Sequence, residues 1–235
     1  MGAASLLIAC AAVDPGSTVV PAEPATAPSA PGPVAAPGEA AEAGWRPFVL
    51  PGKRATQYRF TTKDGRWAIE ALADTSASML RRKLDVPPEA LAGVSWAWWV
   101  DEPLADADLG HVERSDATAS IVLAFDGDKS RLPGRDRLLF ELAHALTGEE
   151  PPYATLVYAW GTREPLESVV HSPRSDRVRK IVVESGAATT RRWREHRRDV
   201  VADYVRAFGE PPGRLIGVAV MTDADNTRSK ARAWY

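Results

Sequence analysis

The chain has one cysteine and four histidines among its 235 residues, and the histidines are isolated from one another and from Cys10. No intrachain disulfide can form, and no ligand spacing for structural zinc exists. An excess of positive charge is also missing. Lys and Arg number 29 against 31 Asp and Glu, a formal net charge of -2. Without a basic surface to release phosphate counterions, no nucleic-acid partner is expected. EF-hand spacing is absent. The serine between small residues in Gly93-Val-Ser95-Trp-Ala97 opens a Trp-rich strand, whereas a nucleophile elbow needs a strand-to-helix turn. Glu141 and His144 fall three apart on an expected helix, which reads as a surface pair. No catalytic residue is assigned, and two strand-end carboxylates acting as a hydrolase pair stay open, because their separation is a three-dimensional quantity.

Aromatic residues are missing from Asp14 to Gly44, and seven of the nineteen prolines precede Trp45. A stretch of Pro, Ala, Gly, Ser, Thr and Glu cannot bury enough apolar surface to offset its chain entropy. Residues 14–44 therefore read as a disordered, partly polyproline linker. Ahead of it, residues 1–13 form a short apolar leader in which Leu7-Ile-Ala-Cys10 looks like a bacterial lipobox. Lipidation of Cys10 would tether the rest of the chain to a membrane, and that anchor is the one membrane contact expected. Met1 to Ala9 carries no Lys or Arg, however, and a secretory n-region is basic. Either the start site is misplaced, or the match is accidental and Cys10 is a buried or disordered thiol in a short apolar leader.

From Trp45 onward the pattern is that of one β-rich domain, residues 45–235. Tyr58–Thr62 and Trp67–Asp74 flank an Asp64-Gly65 turn, a strong hairpin signal. Ser78–Leu84 alternates weakly and reads as an edge or a half-exposed strand. Val94, Trp96, Trp98 and Val100 share one face of a strand, with Trp99 and Asp101 on the other. Thr118–Phe125, Ala154–Trp160, Ser168–His171, Arg177–Glu184, Leu215–Thr222 and Ala231–Tyr235 read as further strands, and Leu104–Arg114 as a polar, acidic connection. Thr190–Phe208 reads as the clear helix, capped by Thr190 and ended by Gly209 and Pro211-Pro212. Leucines at 138, 142 and 146 suggest a second short helix over 134–147. About nine strands with few helices fit a mainly β jelly-roll sandwich of galactose-binding type better than a parallel α/β fold.

Two places can carry a site. Asp223, Asp225 and Asn226 follow an apolar strand. They are turn-stabilising Asx residues, a polar-ligand site, or the start of a structural Ca²⁺ site that would need oxygens from another loop, with Asp101, Asp126 and Asp128 as donors to consider. Trp99 is either covered by a helix or loop, or an exposed stacking platform for a sugar.

Thr56-x-Tyr58, Asp64-Gly65, Ser76-Ala-Ser78-x-Leu80, Ser95-Trp-x-Trp98-x-Val100-Asp101, Gly217-Val-Ala-x-Met221-Thr-Asp223-x-Asp225-Asn-Thr227 and Ala233-Trp-Tyr235 occur in that order. Together they resemble a bacterial family known as domain of unknown function 3047, over Trp45 to Tyr235. The resemblance implies an envelope protein of Gram-negative bacteria, periplasmic or on the outer membrane, with an ending strand similar to carbohydrate-binding jelly-roll modules. It carries over no catalytic residue. The family pattern usually continues past Trp-Tyr with Gly-Asp-Ile, whereas this chain stops at Tyr235, so either a shortened last strand or a truncated sequence is expected. Non-catalytic binding of a glycan or other polar ligand follows as the expected function, through Trp99, Asp101, Asp223, Asp225 and Asn226. An envelope scaffold with a protein partner, or a hydrolase, are the alternatives.

Overall fold

The computed structural model describes residues 44–91 and 93–235. The Cys10 leader and nearly all of the linker expected at 14–44 lie outside the described residues. What is described is a two-sheet β-sandwich with two α-helices.

The first sheet has seven strands: β1 (Trp45–Val49), β4 (Ala77–Val86), β6 (Ser120–Phe125), β7 (Ala154–Gly161), β8 (Val169–His171), β9 (Val178–Ser185) and β11 (Leu215–Asp223). Their spatial order is β1-β4-β11-β6-β7-β9-β8. The second has β2 (Gln57–Lys63), β3 (Arg66–Asp74), β5 (Gly93–Val100), β10 (Arg194–Asp199) and β12 (Lys230–Trp234), in the order β10-β5-β12-β3-β2. Every pairing is antiparallel except β7 with β9.

Local chemistry accounts for many of these elements. Asp64 and Gly65 both take positive φ, 51° and 75°, and Lys63 pairs directly with Arg66. That is a two-residue turn whose twist matches the strands it joins. Period-2 alternation then sends Ile69 from β3, Trp98 and Val100 from β5, Ile121, Leu123 and Phe125 from β6, and Leu156, Tyr158 and Trp160 from β7 into one shared core. Each such large side chain withdrawn from water contributes about 2–3 kcal/mol. Trp96 and Trp98 meet edge to face at 5.6 Å.

A smaller cluster lies on the outer face of the seven-stranded sheet. There Leu109 and Ala117 cover Val122, Val157, Val182 and Ala219. The connection from Leu104 to Arg114, expected to be polar, is thus pinned down by the apolar anchors Leu104, Ala107 and Leu109. Leu104 and Ala107 pack with Ala73, Ala224 and Ala231 in another cluster. These contacts hold the loop against the turn that follows β11.

Two expectations need correction. β4 is not an edge strand, because β1, a strand the alternation had not revealed, pairs with one side of it and β11 with the other. The helix expected over 190–208 is half strand. Arg194–Asp199 forms β10 beside β5, and the helix α2 spans only Val200–Phe208. Asp199 accepts from the Ala202 N–H as its N-cap, and Gly209, at φ 72°, closes it in the left-handed conformation. The β5 edge supplied hydrogen bonds for Arg194–Asp199 that no local period in the sequence announces. The other helix, α1 (Gly134–Thr147), is present over the expected span, but Leu138, Leu142 and Leu146 point to solvent while Asp136 is buried. Among the described residues, neither helix is long and apolar enough to cross a membrane.

Candidate functional site

The polar mouth of β11 is built by two segments more than a hundred residues apart. Asp223 N–H donates to the Ala117 carbonyl at 3.1 Å, and the Asp223 carboxylate accepts from the Ala117 N–H at 2.6 Å. This reciprocal pair fastens the end of the 104–116 loop to the strand. One residue earlier, Asp116 is buried and accepts from four donors: Asn226 N–H and Nδ2 at 3.2 and 2.7 Å, and Thr227 N–H and Oγ1 at 2.7 and 2.6 Å. Asp116 therefore organises the turn joining β11 to β12. The turn is tight, with Ser229 N–H donating to the Ala224 carbonyl at 3.1 Å, and it places Arg228 at a left-handed φ of 50°.

Three carboxylates converge here. One oxygen each from Asp116, Asp223 and Asp225 lie within 4.8 Å of one another. Burial and, next, the charge of Asp116 push the Asp223 carboxyl up from 3.8 to about 7. Two lysines answer the negative charge. Lys53 forms an ion pair with Asp225. Lys180 donates to the Ser115 Oγ at 2.7 Å and the Leu109 carbonyl at 3.3 Å; burial lowers its ammonium, while the Asp223, Glu164 and Asp116 carboxylates pull it back up.

The cluster fits a bound cation poorly. Ca²⁺ takes six to eight oxygens, yet both Asp116 oxygens are engaged as acceptors and Lys53 stands where the positive charge would be needed. The same engagements leave Asp116 and Asp225 ill placed as a hydrolytic pair.

Beside the cluster opens a pocket of about 840 Å³. His111 to Arg114 form one wall, Arg174 another, and Asp225, Asn226 and Arg228 the third. Arg174 ties the walls together, donating to the Val112 carbonyl at 2.7 Å and to Asn226 Oδ1 at 3.0 Å. Asn226 is thereby fully committed, its amide N–H₂ on Asp116 and its oxygen on Arg174. His111 Nδ1 accepts from the Glu113 N–H at 3.3 Å, which leaves its other nitrogen to carry the proton in the neutral ring.

A family model described as a protein of unknown function (DUF3047) matches residues 43–235. The chain belongs to this family. The DUF3047 match spans all twelve strands and both helices, and thus every residue of the pocket and of the carboxylate cluster. No curated protein matches the chain.

Asp223, Asp225 and Asn226 are thus brought together with a second loop, as a site there requires. Trp99 and Asp101 are not. Trp99 lies on the outer face of the five-stranded sheet, 8% exposed, edge to face with Trp234 at 4.8 Å and with Lys63 Nζ 4.1 Å above its ring. It is covered by a side chain of the sheet's other edge, so it is no exposed platform. Asp101 is 3.4 Å from Arg191 and takes no part in the carboxylate cluster. Asp126 bonds the next residue's N–H and Asp128 caps a short 3-10 turn. Asp116, Lys53, Lys180 and the three arginines went unread in the sequence. A lone Asp ahead of an alternating run is the one local sign Asp116 gives, and its partners lie 110 residues on.

Proposed function

We propose that the domain binds a polar, glycan-type ligand without breaking it, in the pocket walled by the 104–116 loop, the Arg174 turn and the β11–β12 turn. One observation carries the reading: three separate segments meet around an open volume of about 840 Å³, and hydrogen bonds donated to the buried Asp116 hold the floor beneath it in place. A preformed wall lowers the ordering cost that a flexible loop would meet on binding. Polysaccharide pull-down with the purified protein tests it. Retention on at least one glycan, lost when Val112→Trp fills the pocket, is the expected result; no retention on any glycan sinks the reading.

The same proposal places the protein in the cell envelope, held by lipid at Cys10 behind the Pro/Ala-rich stretch. Metabolic labelling of the full chain with a tagged fatty acid tests that part. Cys10→Ser is expected to abolish the label, and an unlabelled parent protein argues against the anchor.

A further inference from the structure

The lining of the pocket has a sign opposite to that of the chain. Arg114, Arg174 and Arg228 face it in a protein of net charge -2. Of the two carboxylates among the same walls, Asp225 is already paired with Lys53, which leaves Glu113 alone without an ion pair among the described residues. The guanidiniums are not similarly spent. Arg114 has one loose contact, Asp108 at 3.4 Å. Arg174 bonds only neutral acceptors, the Val112 carbonyl and the Asn226 amide. Arg228 has neither a hydrogen bond nor an ion pair from its side chain among the described residues, and it stands at φ 50°, where glycine or asparagine fits with less strain. A guanidinium is a planar fork that matches carboxylate and phosphate oxygens two at a time.

The other means of holding a sugar is missing from this lining. Among the described residues no Trp, Tyr or Phe borders the pocket and His111 is its one aromatic ring, so a neutral sugar would find little face to stack on. Glu113 and the Asp225 carboxylate offer acceptors for hydroxyl groups, while the arginines supply the attraction.

Resting on the pocket reading above, we infer that the ligand is an acidic saccharide, bearing a carboxylate or phosphate that is gripped by Arg228 and Arg174. Arg228 presents an unengaged fork from the β11–β12 turn, while Arg174, whose Nη2 is held by the Val112 carbonyl and Asn226, contributes its charge and remaining N–H groups, and Arg114 adds charge at the rim.

The test uses the full chain in affinity electrophoresis against four polymers: polygalacturonate, its methyl-esterified form, a phosphate-bearing mannan and plain mannan. Arg228→Gly is the main variant, because glycine suits the left-handed backbone at 228 and the fold is relieved rather than strained. Arg174→Lys keeps a charge and removes the remaining guanidinium N–H donors. The expected result is retention by the carboxylate or the phosphate polymer, at least about tenfold weaker on its neutral counterpart, with each variant weakening it about tenfold, as loss of a charged hydrogen bond does. Which acidic polymer binds separates the two sources of the anion. Equal retention on charged and neutral polymers, abolished by Val112→Trp but untouched by Arg228→Gly, overturns the acidic ligand and leaves the pocket reading standing. Retention that Val112→Trp does not change overturns both, and no retention on any of the four overturns the acidic ligand.

Discussion

Trp99 on β5 and Asp225 just beyond β11 both stand at the ends of core strands, and in the sequence both look available to a ligand. In the fold one is covered and the other borders an open pocket. Trp99 offers a large apolar face, and the sheet hides it beneath the stem and ammonium of Lys63 and beside Trp234. Removing that area from water while the charged tip stays wet is the cheaper arrangement. Asp225 sits on a turn whose backbone demands are met by Asp116 from below, so its outer side remains at the surface. An aromatic residue at a strand end is thus prone to be recruited as packing, and a polar turn prone to stay open once a buried acceptor fixes it.

The contrast can be broken experimentally, and the largest expected effect is at Trp99. Trp99→Ala should lower stability by about 3–5 kcal/mol, the usual cost of deleting a buried large aromatic, with glycan retention of the folded fraction unchanged. Urea unfolding and pull-down on the same sample give both readings; lost retention at unchanged stability would restore Trp99 as a binding platform. Next is Asp116→Ala, which strips the acceptor from four donors in one turn. Leaving buried donors unsatisfied should cost about 3 kcal/mol and disorder the wall carrying Arg228, so retention falls as well.

Asp223→Asn sharpens the electrostatic side. Its carboxyl titrates at about 7 in the folded protein against 3.8 ordinarily, so the native state holds the proton more tightly than the unfolded chain does. The stabilising contribution is fully present below about pH 4 and is lost as pH rises through about 7. Asparagine is neutral throughout and keeps an oxygen for the Ala117 N–H, so the variant should flatten this fall. Relative to wild type it should gain on the order of 2 kcal/mol between pH 4 and pH 8, about half of what the full shift would give. Denaturant midpoints across that range check it, and parallel curves for the two proteins would refute it. The smallest effect is expected from a chelator. With Lys53 on Asp225 and Asp116 saturated by donors, EDTA should leave the melting midpoint unchanged within about 1 °C, since only a ligand selective for the folded state raises stability.

Legibility in the sequence followed the range of the interactions. Ile121, Leu123 and Phe125, and Leu156, Tyr158 and Trp160, announced their inward faces because alternation is a local property of a strand. The Asp64-Gly65 hairpin and the Gly209 cap were legible for the same reason. Arg194–Asp199 was not, because its partner strand begins a hundred residues earlier at Gly93. The leucine spacing at 138, 142 and 146 located α1, but those leucines face solvent, since periodicity marks a face without saying what lies against it. At the site, Asp223, Asp225 and Asn226 were visible as a polar cluster after an apolar run, whereas Asp116 and Lys53 reach them across long loops.

The sequence alone therefore determined a mainly β domain, most of its strands, its two helical segments and the turn beyond β11 as a place of interest. Tertiary structure decided which strands are edges, that Trp99 is covered, that Asp116 joins the carboxylates, and that arginines from three segments share one pocket. The physical reason is that alternation, capping and turn chemistry act over a few residues, while burial and charge pairing depend on what the folded chain brings alongside.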